Sequence, residues 1–323
     1  MNTVGLIVNP KAGKDIRRIV SYGRFTTDEE KLNIVVRILT GLTDAGVDRV
    51  LAMPDTIGLI KAAIKKSNNT IPVEILDIPT FGIEQDTALA TKMMVESGVG
   101  CLISLGGDGT NRCIAEYSSQ TPMVPVSTGT NNVFPVLIEG TIAGLAAGLI
   151  ATKSVDIKTA TKQKPLIEVE IDGKIVGVAL IDVAISKQAF IGARAVWDAE
   201  SIDEIFVSGF YPSSIGLGSI ASRIPMRTKA GIYVKLGEGK HIVSAPITPG
   251  VISKVNVSNW SEMKFDEKLV VNLKPCSIAV DGERTWVLTK DQSAAMTLRK
   301  LGPIVVSIGK TLEQAALSEK FIT

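Results

Sequence analysis

From residue 3 to residue 127 the chain alternates two patterns, and that alternation constrains the fold more than any other feature. The short apolar runs "TVGLIVNP", "VDRVLAMP", "PVEILDIP", "VGCLISL" and "PMVPVSTGT" read as strands. Between them stand "TTDEEKLNIVVRILTGLTDAG", "DTIGLIKAAIKKS", "TALATKMMVESG" and "TNRCIAEYSS", which read as helices. In the first of these, Thr27 and Glu30 have capping-box spacing and Leu32, Val35, Val36, Leu39 and Leu42 recur at helical spacing. Gly46 ends it, and Asp55 opens the second as an N-cap. Strands alternating with helices of roughly 10 to 15 residues need crossover connections, so the sheet is parallel and covered on both faces. Ligands of such sheets bind beyond the carboxyl ends of the strands.

The second half has another character. A strongly apolar helix spans about 138–152, and "PLIEVEIDGKIVGVALIDVAISK" then reads as a hairpin turning at Asp172-Gly173. "FIGARAVWDAESIDEIFVSGF" is expected to be mostly helical, and "SSIGLGSIAS" to form a loop over a cleft. From about residue 229 short alternating runs dominate, which predicts a β-rich sandwich. The fold class is therefore α/β, an N-terminal parallel-sheet (Rossmann-like) domain followed by a C-terminal β-rich sandwich domain. The expected boundaries are 1–135 for the nucleotide-type domain and 136–309 for the β-rich one, with a closing helix at about 310–323 that docks back on the first.

With 323 residues, 45% of them hydrophobic, the chain is long enough for two packed domains. A formal charge of +2 gives no basic face for a nucleic-acid partner. The single histidine, His241, excludes a multi-histidine metal site and leaves acid–base chemistry to carboxylates. Cys101, Cys113 and Cys276 form no C-x-x-C pair and read as core residues of a reducing compartment. The N-terminus has no signal-peptide pattern, and the apolar helix carries Glu139 and is shorter than a spanning helix needs. The expectation is a soluble, cytoplasmic protein with no membrane partner.

Three polar glycine loops fall at the ends of strands in the first domain. In "LISLGGDGTNRCIAEY" a strand runs into Gly106-Gly107-Asp108-Gly109-Thr110 and then a helix. Glycines let backbone approach an anion, and the helix start presents unpaired N–H groups to it. Asp108 there is either a helix cap or a carboxylate beside a phosphate-bound Mg²⁺. "NPKAGKD" offers Asn9, Lys11, Gly13 and Lys14, and "STGTNN" offers Thr128, Gly129, Thr130, Asn131 and Asn132. Each loop alone reads as an ordinary turn; three on one sheet edge suggest nucleotide binding and phosphoryl transfer. In "AVDGERTWVL", Asp281-Gly282 is a hairpin signal like Asp172-Gly173. Asp281 and Glu283, two apart in an extended segment, share a face. They are either a base with a metal-associated partner or two solvent-exposed acids.

"VNPKAG", "GGDGT" and Thr-Gly-Thr-Asn, in that order and followed by a β-rich half with a "DGE" turn, resemble the superfamily of NAD kinases and diacylglycerol/sphingosine kinases. "STGTNNVFP" and "FIGARAVWD" resemble its ATP-NAD kinase/AcoX-like branch most. The resemblance implies a NAD kinase-like fold with an ATP site in the interdomain cleft. It places Asn9, Gly106, Gly107, Asp108, Gly109, Thr110 and Thr128 to Asn131 around the nucleotide or its Mg²⁺, with Lys11 and Gly13 in the same loop set. It makes Asp108, Asp281 and Glu283 the catalytic candidates, Asp108 and Glu283 the metal candidates, and Asn132 and Asp182 the acceptor-side residues. NAD kinases carry an Asn-Asp or Asn-Glu pair in a setting like "ALNDVVI"; this chain reads "ALIDVAI", with Ile181 in place of the amide. The expected activity is an ATP- and Mg-dependent kinase acting on a small-molecule hydroxyl, with NAD as first acceptor. The alternatives are a lipid or polyol kinase with the same ATP site, or a non-catalytic nucleotide-binding regulator. A homodimer is implied by the resemblance alone.

Overall fold

The computed structural model describes residues 1–14, 21–68, 70–192, 194–196, 198–226, 228 and 230–322; Asp15 of the first glycine loop and Ala193, Trp197 and Thr323 in the segments above lie outside them. The first domain is built on β1 (Thr3–Val8), β2 (Arg49–Ala52), β3 (Val73–Ile75), β4 (Cys101–Gly106) and β5 (Met123–Ser127), all parallel and ordered β3-β2-β1-β4-β5. Its helices are α1 (Asp28–Asp44), α2 (Leu59–Lys66), α3 (Glu84–Glu96), α4 (Asp108–Tyr117) and α5 (Gly140–Ala151). Apolar residues of α1, α2 and α5 pack on one face of the sheet, and those of α3 and α4 on the other. Thr27 caps α1 by accepting from the Glu30 N–H at 3.1 Å. Asp55 is not the N-cap expected of it: that place falls to Gly58, and Asp55, three residues earlier, accepts from the N–H groups of Leu59 and Ile60 at 2.8 and 2.9 Å. The strand order reverses between β1 and β4, which puts the loops that follow these two strands side by side at a topological switch point.

The first domain continues past residue 135. Helix α5 packs on α1 so closely that a Cβ on Gly144 would strike the Ile38 carbonyl. After α6 (Ile157–Ala160), β6 (Thr161–Gln163) joins the same sheet, and the chain enters the second domain at Lys164. The second domain holds β7 (Leu166–Ile171), β8 (Lys174–Ala179), β9 (Asp182–Ser186), β10 (Ile202–Val207), α7 (Gly218–Ala221), β11 (Gly231–Thr248), β12 (Val251–Met263), β13 (Lys268–Val270), β14 (Cys276–Val280), β15 (Glu283–Leu288) and β16 (Ala294–Arg299). Two antiparallel sheets, β12-β11-β10-β9-β14-β15 and β13-β16-β7-β8, enclose a core that includes Ile167, Val183, Phe206, Ile278 and Met296. The chain then returns: β17 (Ile304–Val306) pairs with β5 and β6, and α8 (Ile308–Leu317) packs on α5 and α6. The outgoing and returning strands are bonded together, Lys164 N–H to the Pro303 carbonyl at 2.9 Å and Gly302 N–H to the Lys164 carbonyl at 3.0 Å.

Two further expectations are corrected. Among its described residues, the segment read as helical contains a single 3₁₀ turn, Ala199–Ser201, and then strand β10. β10 lies inside its sheet with Ile202, Glu204, Ile205, Phe206 and Val207 all buried, so it has no period-2 pattern to betray it. "SSIGLGSIAS" does not line the cleft: its first half is irregular, and its second half forms α7, buried against β10 and β11. Among the described residues, no helix is long and apolar enough to cross a membrane.

Candidate active site

A cleft of about 850 Å³ opens between the carboxyl ends of the first sheet and the β14–β15 turn of the second domain. Three loops of the first domain line it, and side chains stitch them together. Asn9 donates to the Thr110 hydroxyl at 2.9 Å, joining the loop after β1 to the start of α4. Its own Oδ1 accepts from the Lys11 N–H at 2.9 Å, which folds that loop. The Thr26 hydroxyl donates to the Thr128 carbonyl, and the Arg24 N–H to the Thr130 hydroxyl at 3.0 Å. Asn132 donates to Ser127 at 2.8 Å and lies against Gly107, where a Cβ would come within 2.9 Å of Asn132 Oδ1. Glycine is required at 107 for this close approach, which leaves the first turn of α4 facing the cleft with N–H groups that a helix cannot satisfy internally. Lys11, Lys14, Arg24, Arg112 and Arg194 also line the cleft. The arrangement has the donors an anion site needs, with backbone N–H groups at its centre and cations at its border.

The three candidate acids are all held in the cleft wall, by different means. The Asp108 carboxylate accepts from the N–H groups of Val133 and Phe134 at 3.1 and 2.8 Å, so it anchors the exit of the Thr-Gly-Thr-Asn-Asn loop. The Asp281 carboxylate accepts from Leu180, Ile181 and Asp182 N–H at 3.1, 2.8 and 3.3 Å. Burial raises the Asp281 pKa above the ordinary aspartate value, against the opposing pull of Arg112 and these backbone donors. Glu283 is half-exposed and faces the glycine turn, its Oε2 4.0 Å from the position of a Cβ on Gly109 and 3.9 Å from Arg194. Among the described residues no group of three or more His, Cys, Asp or Glu is placed to enclose a metal. Glu283 nonetheless fits Mg²⁺, which takes one or two carboxylates together with phosphate oxygens. Asp108 fits this less well, because its carboxylate is committed to backbone donors.

Asn9, Lys11, Gly13, Gly107, Asp108, Gly109, Thr110, Gly129, Thr130, Asn131, Asn132, Asp281 and Glu283 line the cleft together. Gly106 and Thr128 sit just behind it: Gly106 ends β4 against the Thr110 side chain, and Thr128 is buried under Thr26. Asp182 lies apart from the cleft lining. It is buried in the second domain and accepts from the Gly218 N–H at 2.9 Å. His241 is also remote, stacked edge-on against Trp260. The three cysteines are free and buried, and burial pushes the Cys113 thiol up to about 12.

Sequence reasoning missed the segment from Thr80 to Asp86 and the arginine opposite it. Asp86 collects the N–H groups of Phe81, Gly82 and Ile83, and Lys11 donates to the Gly82 carbonyl at 2.7 Å, so this turn forms a wall of the cleft. Arg112 is buried on α4 and donates to Glu84. The available signal was slight: Arg112 stands one helical turn after Asp108, so both fall on the same face of α4.

Comparison with known proteins fits this architecture. Residues 4–154 match the ATP-NAD kinase N-terminal domain, and residues 165–301 match the acetoin catabolism protein X C-terminal domain. The two matches meet where the chain crosses between domains. A putative diacylglycerol kinase from Bacillus anthracis str. Sterne aligns over 94% of this chain and 96% of its own, at 16% identity and a TM-score of 0.44. A second structure described in the same terms, from the same strain, aligns over 94% and 98% at 14% identity and a TM-score of 0.44. Acetoin catabolism protein X of Cupriavidus necator is 35% identical over 312 residues, 91% of this chain and 87% of that protein. With identity sustained across both domains, this chain belongs to the acetoin catabolism protein X family, with an N-terminal domain of the ATP-NAD kinase type.

Proposed function

We propose that this protein transfers the γ-phosphoryl group of Mg-ATP to a hydroxyl of a small molecule. The observation that carries this reading is the placement of Glu283, on the second domain, facing Gly109 of the glycine turn on the first. Phosphoryl transfer asks a protein chiefly for positioning and charge neutralisation. The α4 N-terminus, the loop of Asn9 and Lys11, and the Thr128 to Asn132 loop would hold the phosphates. Mg²⁺ held by Glu283 and phosphate oxygens would neutralise the charge of the transferred group. Asp281 would accept the proton of the acceptor hydroxyl: its burial makes it a stronger base than an ordinary aspartate, and the three backbone donors fix its orientation. Asp108 would hold two loops in place through Val133 and Phe134.

NAD is the first acceptor to try. A second reading, a polyol or lipid hydroxyl, is favoured by one observation. The acidic residue that NAD kinases use for the dinucleotide corresponds to Asp182, which is turned to Gly218 inside the second domain, beside buried Ile181. The test is transfer of labelled phosphate from Mg-ATP to NAD and to a panel of polyols and lipid alcohols, with Asp281→Asn as control. Labelled product from the parent alone supports the reading and names the acceptor. Mg-ATP binding with no transfer to any acceptor, water included, would overturn it in favour of a nucleotide-binding regulator.

A further inference from the structure

Arg112 is the one strongly buried cation that lines the cleft among the described residues, and its guanidinium joins three segments. The side chain leaves α4 one turn after Asp108 and is 5% exposed. One terminal nitrogen donates to the Val280 carbonyl at 3.2 Å, and the other to Glu84 Oε1 at 3.2 Å. Val280 directly precedes Asp281, and Glu84 opens α3 beside the Thr80 to Asp86 wall. One planar fork therefore fixes the spacing between the glycine-turn helix of the first domain and the Asp281 to Glu283 turn of the second.

We propose that Arg112 is the positioning residue of this site, tying the Asp281 to Glu283 turn to the glycine-turn helix so that both carboxylates stay over the bound phosphates. The proposal rests on the phosphotransferase reading. Geometry separates this role from that of a phosphate ligand, because the guanidinium is almost fully buried in the cleft wall and already donates on both arms. Electrostatics agree: burial disfavours the Arg112 charge, but Asp281, Glu84 and Glu283 outweigh it and hold the group charged. Lysine cannot replace it, since an ammonium is a point donor without the fork that reaches both acceptors.

The test compares the parent with Arg112→Lys and Arg112→Met. Mg-ATP affinity is measured by titration calorimetry, and amide hydrogen exchange is followed in segments 178–184 and 278–286. With whichever acceptor turns over, kcat and the KM for ATP are measured as well. The expected result for Arg112→Lys is Mg-ATP affinity within roughly threefold of the parent and exchange in both segments faster by about tenfold, with unchanged exchange in the β10–β12 core. Its kcat should fall by roughly 100-fold, as expected for a slight misplacement of reacting groups, with the KM for ATP little changed. A loss of Mg-ATP affinity matching the loss of kcat would make Arg112 a nucleotide ligand and overturn the proposal. Unchanged exchange in both segments would also overturn it. A parent that binds no Mg-ATP would instead sink the phosphotransferase reading itself. Should Arg112→Lys fail to fold, Glu84→Ala removes one acceptor of the fork at a half-exposed side chain and serves the same readouts.

Discussion

At Asp172 and Asp281 the chain makes the same turn twice, with φ of 49° and 48°, each followed by a glycine at 77° and 79°. Local sequence cannot tell the two apart, because both obey the Asp-Gly hairpin rule. The difference is what the carboxylate meets. Asp172 accepts from Ser293 N–H at 2.8 Å on the surface, whereas Asp281 is buried against the backbone of residues 180–182 about a hundred positions away. Asparagine at 281 keeps an oxygen for Leu180 and Ile181 but cannot take a proton. Asp281→Asn should therefore lower kcat by roughly 100-fold or more while leaving the thermal midpoint within a few degrees. Initial rates at saturating Mg-ATP and a melting curve decide it; full turnover would reduce Asp281 to a hairpin residue. Lys31 makes a second residue-level case. It is fully buried, donates to the Pro10 carbonyl and pairs with Asp28 at 3.1 Å, so it props up the first glycine loop. Burial pushes its pKa below the ordinary 10.5, against the pull of Asp28. A lysine depressed in the folded state costs no stability above 10.5, and its cost grows as pH falls from there towards the folded value. Lys31→Met removes that slope. Melting midpoints taken from pH 7 to 10 should shift in favour of the parent, relative to the variant, as pH rises; parallel curves would mean that the ammonium is not depressed.

The elements that sequence made legible are those whose constraints are local. The glycine turn was readable because strand, glycines and helix start are contiguous, and α1 because its cap and its apolar stripe lie within one segment. β10 was not, because burial on both faces erased its alternation. Arg112 and the wall from Thr80 to Asp86 were not, because their meaning comes from partners brought near only by the sheet order. The glycines of α5 fall between these cases: the sequence shows a helix rich in small residues, but only the packing shows that α1 needs them. A Cβ on Gly144 would meet the Ile38 backbone carbonyl, which cannot swing aside as a side chain would. Gly144→Ala should cost about 1–3 kcal/mol, read as a lower denaturant midpoint at unchanged slope. At Gly107 the obstacle is Asn132 Oδ1, and yielding would break the Asn132 bond to Ser127. Gly107→Ala should thus leave stability nearly unchanged and weaken Mg-ATP binding by roughly tenfold, or about 1.4 kcal/mol. Calorimetric titration checks it, and a variant that binds as the parent does would remove this loop contact from the site.

For the whole molecule, the second domain is an insertion within the first. Strand β17, contributed after residue 303, lies between β5 and β6 in the seven-stranded sheet, and Thr311 and Ala315 of α8 are buried near α5. No local pattern announces this, since β17 is three residues long and lies far in sequence from the strands it pairs. The consequence is that residues 1–163 are not a folding unit. Without β17 the edge of β5 is open, and α5 loses α8, so the fragment should aggregate or unfold without cooperativity. The missing piece can be restored by a short graft. β6 and β17 are antiparallel neighbours, and Lys164 N–H already bonds the Pro303 carbonyl at 2.9 Å. A two-residue Asn-Gly turn joining residues 1–164 to 303–322 closes them as a hairpin. This joined first domain should melt cooperatively, which circular dichroism reads directly. It keeps the three glycine loops but lacks Asp281 and Glu283, so it should bind ATP with little gain from added Mg²⁺, whereas the full chain should bind Mg-ATP more tightly than ATP. If the joined domain shows the same Mg²⁺ dependence as the full chain, the metal does not lean on Glu283. If it fails to fold, the second domain is part of the first domain's core rather than an insertion within it.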